Sequence, residues 1–205
     1  MGKTDTLSYK GLHVGVYEPG RDVLIVSPTQ RQSDEMLQRV RAHYRALAGA
    51  PRLVRDNASE LGLANGSRVV SLPGSEGGIR GFSAVRLLIV DEASRVPDDV
   101  WASVLPMVSA RDGQIIAAST PWGDRGWWAA AFQDEGADWE RTTVSVYESA
   151  QYSPERIART RAAVSSFVWA SDYEVRFADV ESQAFGTEDV RRAFAPGVEP
   201  LEVAA

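Results

Sequence analysis

The chain has 205 residues, of which 44% are hydrophobic and 24% charged, with a formal net charge of -6; that balance fits one main folded body and excludes a disordered or fibrous chain. No apolar run reaches the roughly 18 residues of a membrane span and the N-terminus has no secretory run, so the expected location is the cytoplasm. With no cysteine and only two histidines, His13 and His43, disulfide frameworks, thiol nucleophiles and zinc-thiolate centres are excluded, and a bound metal is expected on oxygen ligands.

In chain order, residues 6–17 show a helical pattern through Leu7, Leu12 and Val16 that Pro19-Gly20 stops. Val23-Leu24-Ile25-Val26 is a continuous apolar run of the kind covered on both faces in a parallel sheet. Met36, Leu37, Val40, Tyr44 and Leu47 recur at helical spacing over residues 30–48, the clearest amphipathic helix in the chain. Asn65-Gly66 predicts a tight hairpin turn within residues 61–72. Leu87-Leu88-Ile89-Val90 is a second buried-type strand, followed by a helix near residues 98–107 and a third strand over 114–119. Residues 139–146 read as a further strand, and 154–177 as one or two helices. Alternating strands and helices point to a layered α/β fold.

Charge is distributed unevenly: residues 1–86 carry about +4 and residues 87–205 about -10. The acidic total argues against whole-surface attraction to nucleic acid, while the asymmetry permits a local DNA-facing patch.

Three short segments carry candidate chemistry. Gly2-Lys3-Thr4 matches the last three positions of G-x-x-x-x-G-K-[ST], in which backbone amides cradle phosphates, lysine reaches the β- and γ-oxygens and the hydroxyl meets Mg²⁺. Taken alone, the same three residues also read as a plain chain terminus, and with Thr6 they fit an N-myristoylation pattern that has no second membrane signal beside it. Asp91-Glu92 follows an apolar strand directly, where open α/β sheets place ligands; Asp91 could hold Mg²⁺ through water and Glu92 could orient or deprotonate an attacking water. The alternative is an acidic pair capping the next helix. Ser119-Thr120-Pro121 ends the following strand with two hydroxyls that could report a γ-phosphate or form an ordinary turn. Trp122, Trp127 and Trp128 cluster in a glycine-rich stretch, either as a DNA or partner surface or, for at least one, as core.

The ordered set Gly2-Lys3-Thr4, Ser27-Pro28-Thr29-Gln30-Arg31-Gln32-Ser33, Gly78-Ile79-Arg80-Gly81-Phe82-Ser83, Leu88-Ile89-Val90-Asp91-Glu92-Ala93 and Ser119-Thr120-Pro121-Trp122-Gly123 closely resembles the ATPase domain of phage large terminases, over most of residues 2–180. The resemblance implies a P-loop NTPase fold of the RecA/ASCE type. Its expected form is a mostly parallel sheet flanked by helices with its first strand missing, over residues 1–150, then a short helical segment over 151–205 leading toward a nuclease domain that the chain does not include. It implies an ATPase that translocates double-stranded DNA into a procapsid, with ATP and Mg²⁺ as cofactors. The implied partners are portal protein, the small terminase subunit and further copies in a ring, in the host cytoplasm. By motif, Gly2, Lys3, Thr4 and Thr120 would meet the nucleotide, Thr4 and Asp91 the metal, and Glu92 would be the catalytic carboxylate. Arg31, Arg80 and Arg125 are candidates for the charge-stabilising arginine.

Two further readings stay open: a terminase remnant or assembly fragment without turnover, and a helicase-like ATPase piece. The missing strand is interior to the sheet in related motor folds. Its loss is expected to leave two unpaired edges, and the strand over residues 139–146, if it lies across that gap, is expected to be poorly attached.

Overall fold

A computed structural model describes residues 2–72, 82, 85–134, 136, 139–177 and 192–193. The chain divides into two units, Met1–Thr120 with Gly126–Ala131, and Pro121–Arg125 with Phe132–Ala205.

In the first unit the elements run α1 (Lys3–Tyr17), β1 (Asp22–Val26), α2 (Gln30–Ala46), β2 (Leu53–Asn57), β3 (Glu60–Leu63), β4 (Arg68–Leu72), β5 (Val85–Asp91), α3 (Asp98–Ser109), β6 (Gln114–Ala118) and the start of α4 (Gly126–Gln133). The strands form one sheet in the order β2-β3-β4-β1-β5-β6. Its four strands β4, β1, β5 and β6 are parallel, and the β2–β3–β4 run is antiparallel. The hairpin turn at Asn65-Gly66 is where the sequence predicts it, joining β3 to β4. Strand β2, which pairs with β3, has mostly exposed residues and therefore no apolar pattern to announce it.

Strand alternation sorts the apolar residues onto two faces. On one, Val23 and Ile25 of β1 and Leu87 and Ile89 of β5 pack with Leu7, Leu12 and Val14 of α1 and Met36, Leu37 and Val40 of α2. On the other, Leu24, Val26, Leu88 and Val90 pack with Val100, Val104 and Val108 of α3 and Trp127 of α4. All five residues of β1 are buried, as the unbroken apolar run requires. Each fully covered Leu or Ile there contributes about 1.5–3 kcal/mol of transfer free energy.

Helix α1 lies close on the sheet because two small residues face it. A Cβ at Gly11 would stand 3.1 Å from Ile89 Cδ1, and one at Gly15 3.3 Å from Val69 Cγ2. Its C-terminal carbonyls, which lack helical partners, are taken by the Asn65 side-chain amide, at 2.9 Å to the Gly15 oxygen and 3.0 Å to that of Val16. Helix α2 begins at Thr29, whose hydroxyl oxygen accepts from the Gln32 amide at 3.3 Å, an N-cap that satisfies one orphan donor. Arg41 of α2, its side chain 5% exposed, pairs with Asp56 at 2.7 Å and anchors the β2–β3 hairpin through the Asn57 and Glu60 carbonyls.

The expected strand over residues 139–146 does not form. Residues 142–144 are exposed, Arg141 bonds the Trp139 and Asp134 carbonyls, and a Ser145–Glu148 capping box opens a 3-10 turn over Val146–Glu148. Of the two unpaired edges expected, one is present: β6 pairs with β5 alone among the described strands, and Ile115, Ile116, Ala117 and Ala118 stay half-buried. Among the described residues no strand stands on the far side of β6 to supply the other edge of the expected gap.

The second unit holds α5 (Pro154–Ala163), the short α6 (Ser166–Val168) and a π turn over Trp169–Tyr173. Aromatic contacts knit it: Trp169 stacks on Tyr173 at 4.8 Å, and Trp122 meets Phe167 edge-on at 5.3 Å. The sequence expectation of one or two helices over 154–177 matches this arrangement.

Candidate functional site

The C-terminal ends of the central parallel strands are where loops diverge and side chains can reach a common ligand. At that end of β5, Asp91 meets the N-terminus of α1: the Thr4 hydroxyl donates to Asp91 Oδ2 at 3.3 Å, across 87 residues of sequence. Helix α1 starts at Gly2, which offers no side-chain cap. The first amides of this 15-residue helix therefore have no capping side chain, and the positive end of the helix dipole lies beside Thr4. Such an end is suited to an anion.

Burial pushes the Asp91 carboxyl above its ordinary value of 3.8. Opposing that, in order, are the Glu92 amide, which donates to Asp91 Oδ1 at 3.1 Å, the Thr4 hydroxyl, and the charges of Lys3 and Arg39. The carboxylate is half-buried and only thinly compensated, an arrangement that a cation would improve.

Glu92 turns sharply out of the strand with φ 51 and ψ 44. A left-handed glutamate costs on the order of 1–3 kcal/mol and persists only where its surroundings impose it. Here a 3-10 turn over Ala93–Arg95 follows at once, closed by the Arg95 amide on the Glu92 carbonyl at 2.9 Å. Glu92 is half-buried.

The loops after β5 and β6 are joined. Ser94 presents its amide at 3.2 Å and its hydroxyl at 2.8 Å to Ser119 Oγ, and the Ser119 hydroxyl reaches the Thr120 carbonyl at 2.8 Å. Thr120 thereby sits one residue beyond a direct link to the Asp91-Glu92 segment.

The arginines separate. Arg31, with a side chain 81% exposed, pairs with Glu35 one helical turn on, at 2.7 Å. Arg80 lies outside the described residues. Arg125 is exposed and belongs to the second unit. The basic residue whose charge does reach Asp91, besides Lys3, is Arg39, paired with Asp5 of α1 at 2.8 Å. Nothing in the sequence singled out Arg39, because only the packing of α2 against α1 brings it there. Among the tryptophans, Trp127 is core: 9% exposed, stacked on Trp101 at 4.0 Å, with its ring N–H on the Val96 carbonyl at 3.0 Å.

No family model matches the chain, nor does any curated protein. Solved structures do. The large terminase ATPase domain of Thermus phage P74-26 superposes with a TM-score of 0.72 at 20% identity, covering 86% of this chain and 84% of that one. The chain has the fold of a large terminase ATPase domain. The HK97 bacteriophage large terminase aligns at a TM-score of 0.67 and 16% identity, and the large terminase of a thermophilic bacteriophage, in complex with ADP, at 0.70 and 11%. Both alignments cover 86% of this chain, which spans about 44–45% of those longer proteins. Within this terminase-type fold the donor set fits a nucleotide and its cation: uncapped helix amides, a lysine, a hydroxyl and a carboxylate whose burial calls for positive charge. No helix among the described residues is long and apolar enough to cross a membrane.

Proposed function

We propose that this chain binds ATP with Mg²⁺ at the junction of α1 and β5 and hydrolyses it, as the ATPase of a viral motor that translocates double-stranded DNA into a procapsid. The observation that carries the reading is the Thr4–Asp91 contact, which joins the Gly2-Lys3-Thr4 segment to the acid at the end of an apolar strand. The terminase ATPase fold supports it, as does a solved relative of that fold in complex with ADP.

In this reading the first amides of α1 and the Lys3 ammonium hold the β- and γ-phosphates. Thr4 and Asp91 would hold the metal. Bound Mg²⁺ neutralises charge on the phosphate oxygens and so favours attack at the terminal phosphorus. Glu92, placed beyond Asp91 by its left-handed turn, orients the attacking water and takes its proton. Loss of the terminal phosphate is felt at Thr120 and passed through Ser119 and Ser94 back to the Asp91-Glu92 segment. Arg31, exposed and in a surface pair, is available to a neighbouring copy in a ring rather than to its own site. Arg80 and Arg125 remain candidates for the same role. Double-stranded DNA, portal protein and a small terminase subunit are the partners this role requires, in the host cytoplasm.

The test is Mg²⁺-dependent ATP hydrolysis by the purified chain beside Lys3→Ala and Glu92→Gln. Turnover lost in both variants, with nucleotide binding kept in Glu92→Gln, supports the assignment. Turnover that survives Glu92→Gln removes Glu92 from the chemistry. A parent chain that binds nucleotide without turnover is instead the non-catalytic fragment.

A further inference from the structure

We infer that Ser27, the residue after β1, is a third oxygen of the Thr4–Asp91 site and hydrogen-bonds the hydration shell of the divalent cation bound there. The inference rests on the ATPase reading and adds to it a residue from a different strand. Two independent observations meet at Ser27. The first is register. Strands β1 and β5 run parallel with Ile25 opposite Ile89 and Val26 opposite Val90, so the next step sets Ser27 opposite Asp91.

Alternation assigns the face. Val23 and Ile25 share a face with Leu87 and Ile89, the face covered by α1 and α2. Ser27 and Asp91 continue those two series, and the Thr4 contact shows that Asp91 does meet α1. Adjacent strands stand about 4.8 Å apart. At that spacing opposite side chains can meet, yet Ser27 Oγ makes no bond to the neighbouring carboxylate, which leaves it available to a bridging water or ion.

The second observation is that Ser27 is 1% exposed and its Oγ has no hydrogen-bond partner among the described residues. A buried hydroxyl without a partner costs free energy in the ligand-free fold. An alanine would fit the same space without that penalty, so stability alone gives no reason for serine here. A magnesium ion keeps several of its waters when bound by one or two protein ligands, and those waters need acceptors and donors around them. By register Ser27 is level with Asp91 on the adjacent strand, and its unpartnered hydroxyl is available to one of them.

The two roles of a buried serine make different predictions. A packing serine, replaced by alanine, leaves cation binding alone. A site serine, replaced by alanine, stabilises the ligand-free protein and weakens the cation. The experiment measures both on the full chain: thermal unfolding without ligand, and binding of Mn²⁺ in the presence of ADP followed by the electron paramagnetic resonance of free Mn²⁺. Wild type, Ser27→Ala and Thr4→Val are compared.

The expected result for Ser27→Ala is an unfolding midpoint equal to or above wild type and a Mn²⁺ affinity lower by about tenfold, the effect of one hydrogen bond to a charged centre. If Ser27→Ala binds Mn²⁺ as wild type does while Thr4→Val does not, the Ser27 assignment is overturned and the ATPase site stands. If Ser27→Ala unfolds at a lower midpoint with unchanged Mn²⁺ affinity, the hydroxyl serves the fold and the assignment is likewise wrong. If wild type takes up no Mn²⁺ with ADP, both readings fall together.

Discussion

Replacing Thr4 by valine keeps the shape of the side chain and removes only its hydroxyl. The bond lost runs 3.3 Å to a half-buried carboxylate, well beyond the roughly 2.7–2.8 Å at which hydroxyl–oxygen bonds are strongest. A contact of that length, partly open to water, contributes below about 1 kcal/mol to the ligand-free fold. For a chain of this size the unfolding midpoint should fall by no more than about 2–4 °C. Nucleotide binding should respond far more. At a Mg²⁺–ATP concentration one hundred times the wild-type Kd, binding stabilises the fold by about 2.7 kcal/mol. A hundredfold rise in Kd on loss of the hydroxyl leaves about 0.4 kcal/mol of that at the same concentration. Thermal unfolding with and without Mg²⁺–ATP, on both proteins, reads the two effects separately. The reasoning is refuted if Thr4→Val is stabilised by Mg²⁺–ATP as strongly as wild type, because the contact with Asp91 would then have nothing to do with a ligand.

Asp91→Asn tests the sign of the carboxyl shift. Because the folded value is raised by burial, the folded state binds the Asp91 proton more tightly than the unfolded one, and the benefit is lost as pH rises through the folded value. The variant should therefore gain stability relative to wild type between acidic and neutral pH, and parallel unfolding curves across that range would contradict the burial argument. Trp127→Ala should cost about 3–5 kcal/mol in urea unfolding, since it empties a stacked core position and leaves the Val96 carbonyl without its donor. A loss under about 1 kcal/mol would return Trp127 to the surface reading. Arg41→Ala should cost about 2 kcal/mol, less than a fully buried pair because Asp56 is 40% exposed and can rehydrate. Arg41→Met should recover most of that through its apolar stem, which a denaturant midpoint will show. Gly11→Leu should destabilise by about 1–3 kcal/mol or more, as the added side chain meets Ile89 where even a Cβ stands at 3.1 Å.

Local pattern alone determined the layered α/β class. The unbroken apolar runs at Val23–Val26 and Leu87–Val90 call for cover on both faces, and the amphipathic stripe of α2 alternates with them along the chain as one of the covering helices. The carboxylate at the end of β5 was legible for the same reason: an acid directly after such a run must lie at the edge of the core. The run over residues 139–146 misled because intermittent apolar residues say nothing about whether a neighbouring strand exists to pair with them, and here Ser145 and Glu148 close a turn instead. The β2 strand escaped notice because four of its five residues are exposed, and its own link to α2 is chiefly the Arg41–Asp56 pair.

What only the tertiary structure decided is which distant residues share a site. Thr4 and Asp91 meet because Gly11 and Gly15 let α1 settle onto the sheet at the right depth. Arg39 reaches the same carboxylate because α2 packs beside α1, and Ser27 stands level with it because β1 and β5 pair in one particular register. Periodicity along a chain reports which face a residue takes. Register and helix depth come from side-chain packing between segments that lie tens of residues apart, and no local pattern encodes them.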